Sequence, residues 1–179
     1  MIFSPGVQIP NGAVTYLKAG TGVMRRIATA TVTGAAATSI SFTGLSLNGK
    51  QLVVIGETVS AGAGEGTLYC YFNNDTTNTN YNSQRLYGAG AAAGAAAANT
   101  PRFCYINTVN GTVFHSVISK TAAKVPRVIT HDALGDVPAA VNIFGMSWIG
   151  TANITRIDFT ADAAAGLGIG TKITLFEVT

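Results

Sequence analysis

The sequence predicts an all-β chain, an antiparallel sandwich or barrel with an irregular arm at its N-terminus. Two observations carry that expectation. From residue 24 onward, short runs of Val, Ile, Thr, Phe and Tyr recur between clusters of Gly, Asn and Pro, as strands do between turns. No stretch holds a helical apolar period with a polar face opposite, although Ala, the strongest helix former, is abundant.

Residues 1–23 read as the arm. Pro5, Gly6, Pro10, Asn11, Gly12, Gly20 and Gly22 punctuate it, and no period survives. It still carries Ile2, Phe3, Val7, Ile9, Tyr16 and Leu17, an apolar content that a solvated tail does not need. These six residues are the candidate partner-binding set, packing on their own domain or on a neighbouring subunit. Residues 24–179 form the sandwich.

The strand-like runs follow in order. Residues 26–32 come first, then 39–43, where strict alternation puts Ile40 and Phe42 on one face. Residues 51–59 contain Leu52-Val53-Val54-Ile55, apolar throughout, as expected where both faces are covered. Residues 67–73 set Leu68, Cys70 and Phe72 against Tyr69 and Tyr71. Residues 102–108 and 112–119 look like a hairpin around Asn110-Gly111. Residues 124–130, 140–149, 153–160 and 172–178 complete the set, with Phe144, Met146 and Trp148 sharing a face. The stretch 88–98, GAGAAAGAAAA, is broken by Gly and has no polar face, so a long bland loop is expected there. Residues 161–170 are expected to make a hairpin-like connection into the last strand.

Composition narrows the function classes. Charged residues are 11% of the 179 and hydrophobic residues 47%, whereas an ordinary domain carries about 25% charge. Such a chain is too apolar to be disordered and too poor in Lys and Glu for a long solvated helix. No apolar run of about 18 residues is free of Gly, Asn and charge, so no spanning helix and no membrane partner are expected. The opening MIFSPGVQIPNG has neither a basic nor an apolar signal region, so no secretion signal is expected. The net charge is +3, and Arg25-Arg26 is the one adjacent basic pair. Nucleic-acid binders cluster basic residues on a face, so no nucleic-acid partner is expected.

No chemistry-bearing constellation stands out. Cys70 and Cys104 each lie inside a strand-like run; a disulfide and two buried free thiols both fit, and the free thiols are favoured. His115 and His131 have no Cys at a ligand spacing, so no metal site is expected. There is no G-x-S-x-G elbow. His115 lies mid-strand, where a surface-facing or hydrogen-bonded imidazole is ordinary. His131-Asp132 falls in a stretch read as a turn before Gly135. The acids Asp75, Asp132, Asp136 and Asp162 are scattered singly, which gives no reason to pair any two for glycoside hydrolysis. The polar loop 73–80 reads as a turn in which Asn and Asp cap their own backbone rather than as a calcium site. Gly166-x-Gly-x-Gly lacks the spacing of a phosphate loop. Trp148 lies in an apolar run and is assigned to the core. No catalytic residue, no cofactor and no enzyme activity is expected.

Three ordered stretches carry a resemblance. The first is Ser39-Ile40-Ser41-Phe42-Thr43-Gly44-Leu45. The second is Leu68-Tyr69-Cys70-Tyr71-Phe72-Asn73-Asn74-Asp75, followed by Asn80-Tyr81-Asn82-Ser83-Gln84 and Leu86-Tyr87-Gly88. The third is Ile154-Thr155-Arg156-Ile157-Asp158-Phe159, then Gly170-Thr171-Lys172-Ile173-Thr174-Leu175-Phe176. Together they resemble a family of tailed-bacteriophage virion proteins described as tail-fibre, minor structural or capsid-decorating proteins. A strand into "FNxD", a loop into "NY", and an ending "ITxI" then "GTxIxLyG" are similar; Glu177 stands where the family ending has Gly. The resemblance spans roughly residues 25–179. It implies a jelly-roll-like sandwich on the virion exterior, with no catalytic residues to carry over.

The expected function is therefore structural: a capsid decoration (cement) protein that binds the assembled shell and stabilises it. The alternative is a tail-fibre or baseplate component contacting the host surface. The expected partners are the major capsid protein or other virion proteins, together with further copies of the chain. A homo-oligomer is expected, with a trimer favoured, because so apolar a chain leaves patches that mark interfaces. Synthesis is expected in the host cytoplasm.

Overall fold

The computed structural model describes residues 24–62, 66–107, 111–135 and 140–178. The arm, with Ile2, Phe3, Val7, Ile9, Tyr16 and Leu17, lies outside the described residues. The strands are β1 Met24–Thr31, β2 Ser39–Thr43, β3 Lys50–Thr58, β4 Gly66–Phe72, β5 Tyr81–Ala89, β6 Ala92–Ala98, β7 Arg102–Ile106, β8 Thr112–Lys120, β9 Arg127–Leu134, β10 Ala140–Trp148, β11 Arg156–Ala161 and β12 Lys172–Val178. They form two antiparallel sheets, one ordered β1-β12-β3-β8-β9-β10-β5-β6 and the other β2-β11-β4-β7.

Setting aside the pairs β5–β6 and β9–β10 leaves β1-β12-β3-β8 over β2-β11-β4-β7. Each step along that reduced chain crosses between sheets, except β4 to β7. This is the strand order of a jelly roll. The two inserted hairpins both add to the same sheet and widen it to eight strands.

Alternation decides which side each strand buries. β2 turns Ile40 and Phe42 inward, β4 turns Leu68, Cys70 and Phe72, and β10 turns Phe144, Met146 and Trp148, as the sequence predicts. The layers lock through edge-to-face rings. Phe42 meets Phe159 at 6.1 Å, Phe159 meets Phe103 at 5.1 Å, and Phe103 reaches across to Phe114 of the larger sheet at 5.4 Å. Gly56 makes room for that last ring, since a Cβ there would lie 2.3 Å from Phe114 Cζ.

Several expectations are corrected. Residues 102–108 and 112–119 do not form a hairpin. β7 pairs with β4, and β8 with β3 and β9; burying Phe103 against Phe114 across the layers outweighs the local turn signal. The stretch 88–98 is not a loop. It completes β5 and forms β6, joined by a turn in which Gly90 takes φ +58°; edge pairing needs only backbone groups, so Ala and Gly suffice. Residues 161–170 link β11 of one sheet to β12 of the other rather than closing a hairpin. Leu167 is fully buried there and bridges Ala37 and Ser60. His131 and Asp132 lie in β9, not in a turn, and point to opposite sides. Ile55 is 44% exposed, so β3 is covered on one face only.

Candidate functional site

Three clusters of polar side chains close the edges of the sandwich. Under the inserted strands, the Tyr105 N–H donates to Asp132 Oδ2 at 2.9 Å and Asn142 Nδ2 donates to Asp132 Oδ1 at 2.5 Å. Arg85 Nε donates to Asn142 Oδ1 at 2.7 Å and its Nη1 to the Tyr105 hydroxyl at 3.1 Å. The guanidinium is sandwiched between the Tyr87 and Tyr105 rings, 4.2 and 4.3 Å from their centroids, a geometry that attracts a cation. Burial pushes the Asp132 carboxyl above its ordinary range; the bonds from Tyr105 and Asn142 and the Arg85 charge only partly offset it. Asp132 is buried and both its oxygens are bonded, so the group seals the core edge.

The second cluster sits in the 73–80 loop. Asp75 Oδ2 accepts from Trp148 Nε1 at 2.7 Å and from Asn80 Nδ2 at 2.8 Å, while its Oδ1 accepts from the Thr77 N–H. Burial raises this carboxyl, but the hydrogen bonds outweigh it and hold the group below its ordinary value. The Tyr81 hydroxyl accepts from the Phe72 N–H and donates to the Asp75 carbonyl. The Asp75–Thr77 bond is the self-capping turn bond expected from the sequence; the bonds to Trp148 and Tyr81 tie the loop to β10 and β5 as well.

The third cluster contains Glu177, which pairs with Arg25 at 2.7 Å and with Lys50. Hydrogen bonds from Lys50 and Arg25 hold its carboxyl below the ordinary range. The three line a cleft of about 430 Å³ beside the start of β1. Glu177 thus anchors the edge strand β1 to β12 and β3. Lys120 is buried, and its amine donates to the carbonyls of Thr121, Lys124 and Thr151. Cys70 and Cys104 are buried free thiols whose pKa burial pushes well up. Among the described residues, no three His, Cys, Asp or Glu side chains gather as a metal site.

The surface feature that stands out is the outer face of the eight-stranded sheet. Its central row runs Ile55, His115, His131, Ile143 and Leu86 across β3, β8, β9, β10 and β5. One row further along lie Val53, Val117 and Ile129; on the other side lie Val113, Ala133 and Val141. Among the described residues eleven large apolar side chains are exposed, and six of them share this face: Ile55, Leu86, Val113, Ile129, Val141 and Ile143. At its centre the His115 and His131 rings stack at 4.8 Å with 22° between planes. His115 thus faces the surface, one of the two ordinary settings for a mid-strand imidazole, and its pairing with His131 follows from His131-Asp132 lying in β9 rather than in a turn before Gly135. The signal for the face was in the runs 112–119 and 140–149, which are apolar on both sides of the strand rather than on one.

No protein-family model and no curated protein matches the chain.

Proposed function

We propose that the chain is a non-catalytic structural subunit of a bacteriophage virion, a decoration (cement) protein that seats on the outside of the assembled shell and stabilises it. The observation that carries this reading is the broad apolar outer face of the eight-stranded sheet. A jelly roll of low charge with such a face suits a protein that works by burying surface against other protein. The polar side chains beneath it are spent on sealing the sandwich. The ordered sequence resemblance adds weight. In this reading the arm residues Ile2, Phe3, Val7, Ile9, Tyr16 and Leu17 supply the anchor on the shell.

The test is to locate the protein on purified particles by labelling with a specific antibody and by cryo-electron microscopy. The expected result is label over the whole head surface, in fixed ratio to the major capsid protein. Label confined to the tail supports the alternative, a fibre or baseplate component, and rejects the cement assignment. Absence from purified particles overturns the virion reading.

A further inference from the structure

We infer that the outer face of the eight-stranded sheet is a self-association surface, covered by the same face of a second copy of this chain. The inference stands on the geometry of the face and does not depend on the virion reading.

Size is the first argument. The outward side chains form three rows across the seven strands from β12 to β6, mostly apolar but including the His115–His131 pair at the centre, Gln84 and Thr174, and the charged Glu57 and Lys172 at one corner. With strands about 4.8 Å apart and outward residues about 6.8 Å apart along each strand, that area projects to about 700 Å². A specific interface takes about 800 Å² from each partner. The face as a whole is therefore close to the size of one interface, and six of the exposed large apolar side chains lie on it.

The layout of the face favours a copy of itself. The central row reads Ile55-His115-His131-Ile143 and is the same from either end. A two-fold axis lying in the interface, parallel to the strands and between β8 and β9, sets Ile55 against Ile143 of the second copy and His115 against its His131. Isologous contacts require this kind of self-complementarity. On the two strands next to the axis the flanking rows are also apolar, with Val117 beside Ile129 and Val113 beside Ala133, and one strand further out the axis brings Glu57 to the edge of the contact near Val141 of the second copy.

Charge is confined to the margin, where Glu57 pairs in register with Lys172 and Arg127 ends β9. A centre free of formal acid–base pairs and lined mainly by aliphatic side chains around the His115–His131 stack, with charge at the rim, follows the ordinary anatomy of an interface. The sequence of β3 argues the same way. Leu52-Val53-Val54-Ile55 reads as a strand covered on both faces, and its own fold covers only one. A three-fold ring would need two different surfaces at each contact; a face with this symmetry replaces the expected trimer with a pair.

The experiment is sedimentation of the full-length chain and of two variants, each checked for fold by circular dichroism. Ile129→Glu puts a carboxylate on the face at an exposed position, so the fold does not depend on the side chain it removes. Ile169→Glu makes the same change at an isoleucine equally exposed but off the face. The wild type is expected to be a dimer with a dissociation constant in the micromolar range or tighter. Ile129→Glu is expected to weaken it at least about a hundredfold, because a charge is buried unpaired on each side. Ile169→Glu is expected to dimerise normally. A wild-type monomer at high micromolar concentration, a trimer, or a dimer indifferent to Ile129→Glu would overturn the proposal. A monomer whose binding to shells is lost in Ile129→Glu would assign the face to a shell protein instead.

Discussion

Asp132 is buried on β9 against β7, the edge strand of the smaller sheet, with an imposed proton affinity. Burial raises its pKa, and the bonds from Tyr105 and Asn142 together with the Arg85 charge do not fully restore it. A carboxyl raised in the folded state binds its proton more tightly there than in the unfolded chain. Its contribution to stability is therefore fully present below the ordinary value of about 3.8 and is lost as pH rises through the raised value. Asp132→Asn cannot titrate, so that loss disappears. The melting temperature of Asp132→Asn relative to wild type is expected to climb as pH goes from 4 to 7, whatever its offset. Asp75 and Glu177, held low, act in the opposite sense, but both remain in the variant and cancel from the comparison. A difference that stays flat or shrinks with pH would show that the Asp132 carboxyl is not raised.

Strands whose two sides differ were legible in the sequence. β2, β4 and β10 sort their aromatic and aliphatic residues by alternation, and the bounds of β2 and β12 follow from pattern alone. What escaped is held by something other than side-chain pattern. β6 is Ala and Gly; its place is fixed by backbone bonds to β5, which leave no mark in composition. β7 and β8 carry a turn signal between them yet separate, because the decisive contact is Phe103 with Phe114 from the other layer. The His115–His131 pair and the apolar face around it depend on knowing that β8 and β9 are neighbours in register, which no single run can state. The same reasoning ranks the strands by strength. β6 is an edge strand, exposed on both sides for most of its length, so little apolar burial opposes its opening. β8 lies between β3 and β9 and buries Phe114 and Ile118. Native-state hydrogen exchange is expected to release the β6 amides at least about a hundredfold faster than those of β8, by local opening rather than global unfolding. Equal protection of the two strands would mean that the hairpin β5–β6 is covered by something the sandwich does not supply.

Across the whole molecule, rings shared between the layers predict that the jelly roll unfolds as one cooperative body. Phe103 is the junction, touching Phe159 within its own sheet and Phe114 in the other, and it is fully buried. Truncating it leaves a void between layers that neither sheet can fill alone. Phe→Ala changes in such settings cost about 3–5 kcal/mol, a large share of the roughly 5–15 kcal/mol that keeps a domain folded. Phe103→Ala is therefore expected to lower the urea midpoint sharply while the transition stays single. Two probes report on different places. Far-ultraviolet circular dichroism averages all strands, whereas the sole tryptophan, Trp148, sits at the end of β10 against Tyr81 and Phe72. Trp148 contacts β4 through Phe72 and the β5 strand through Tyr81, so the inserted hairpins and the jelly-roll strands meet at that indole. Coincident dichroism and fluorescence curves in wild type and in Phe103→Ala are the expected outcome. If the Trp148 signal instead kept its wild-type midpoint while the dichroism shifted, the added strands would be a separate folding unit, and the eight-stranded sheet would not be the single rigid platform that its outer face requires.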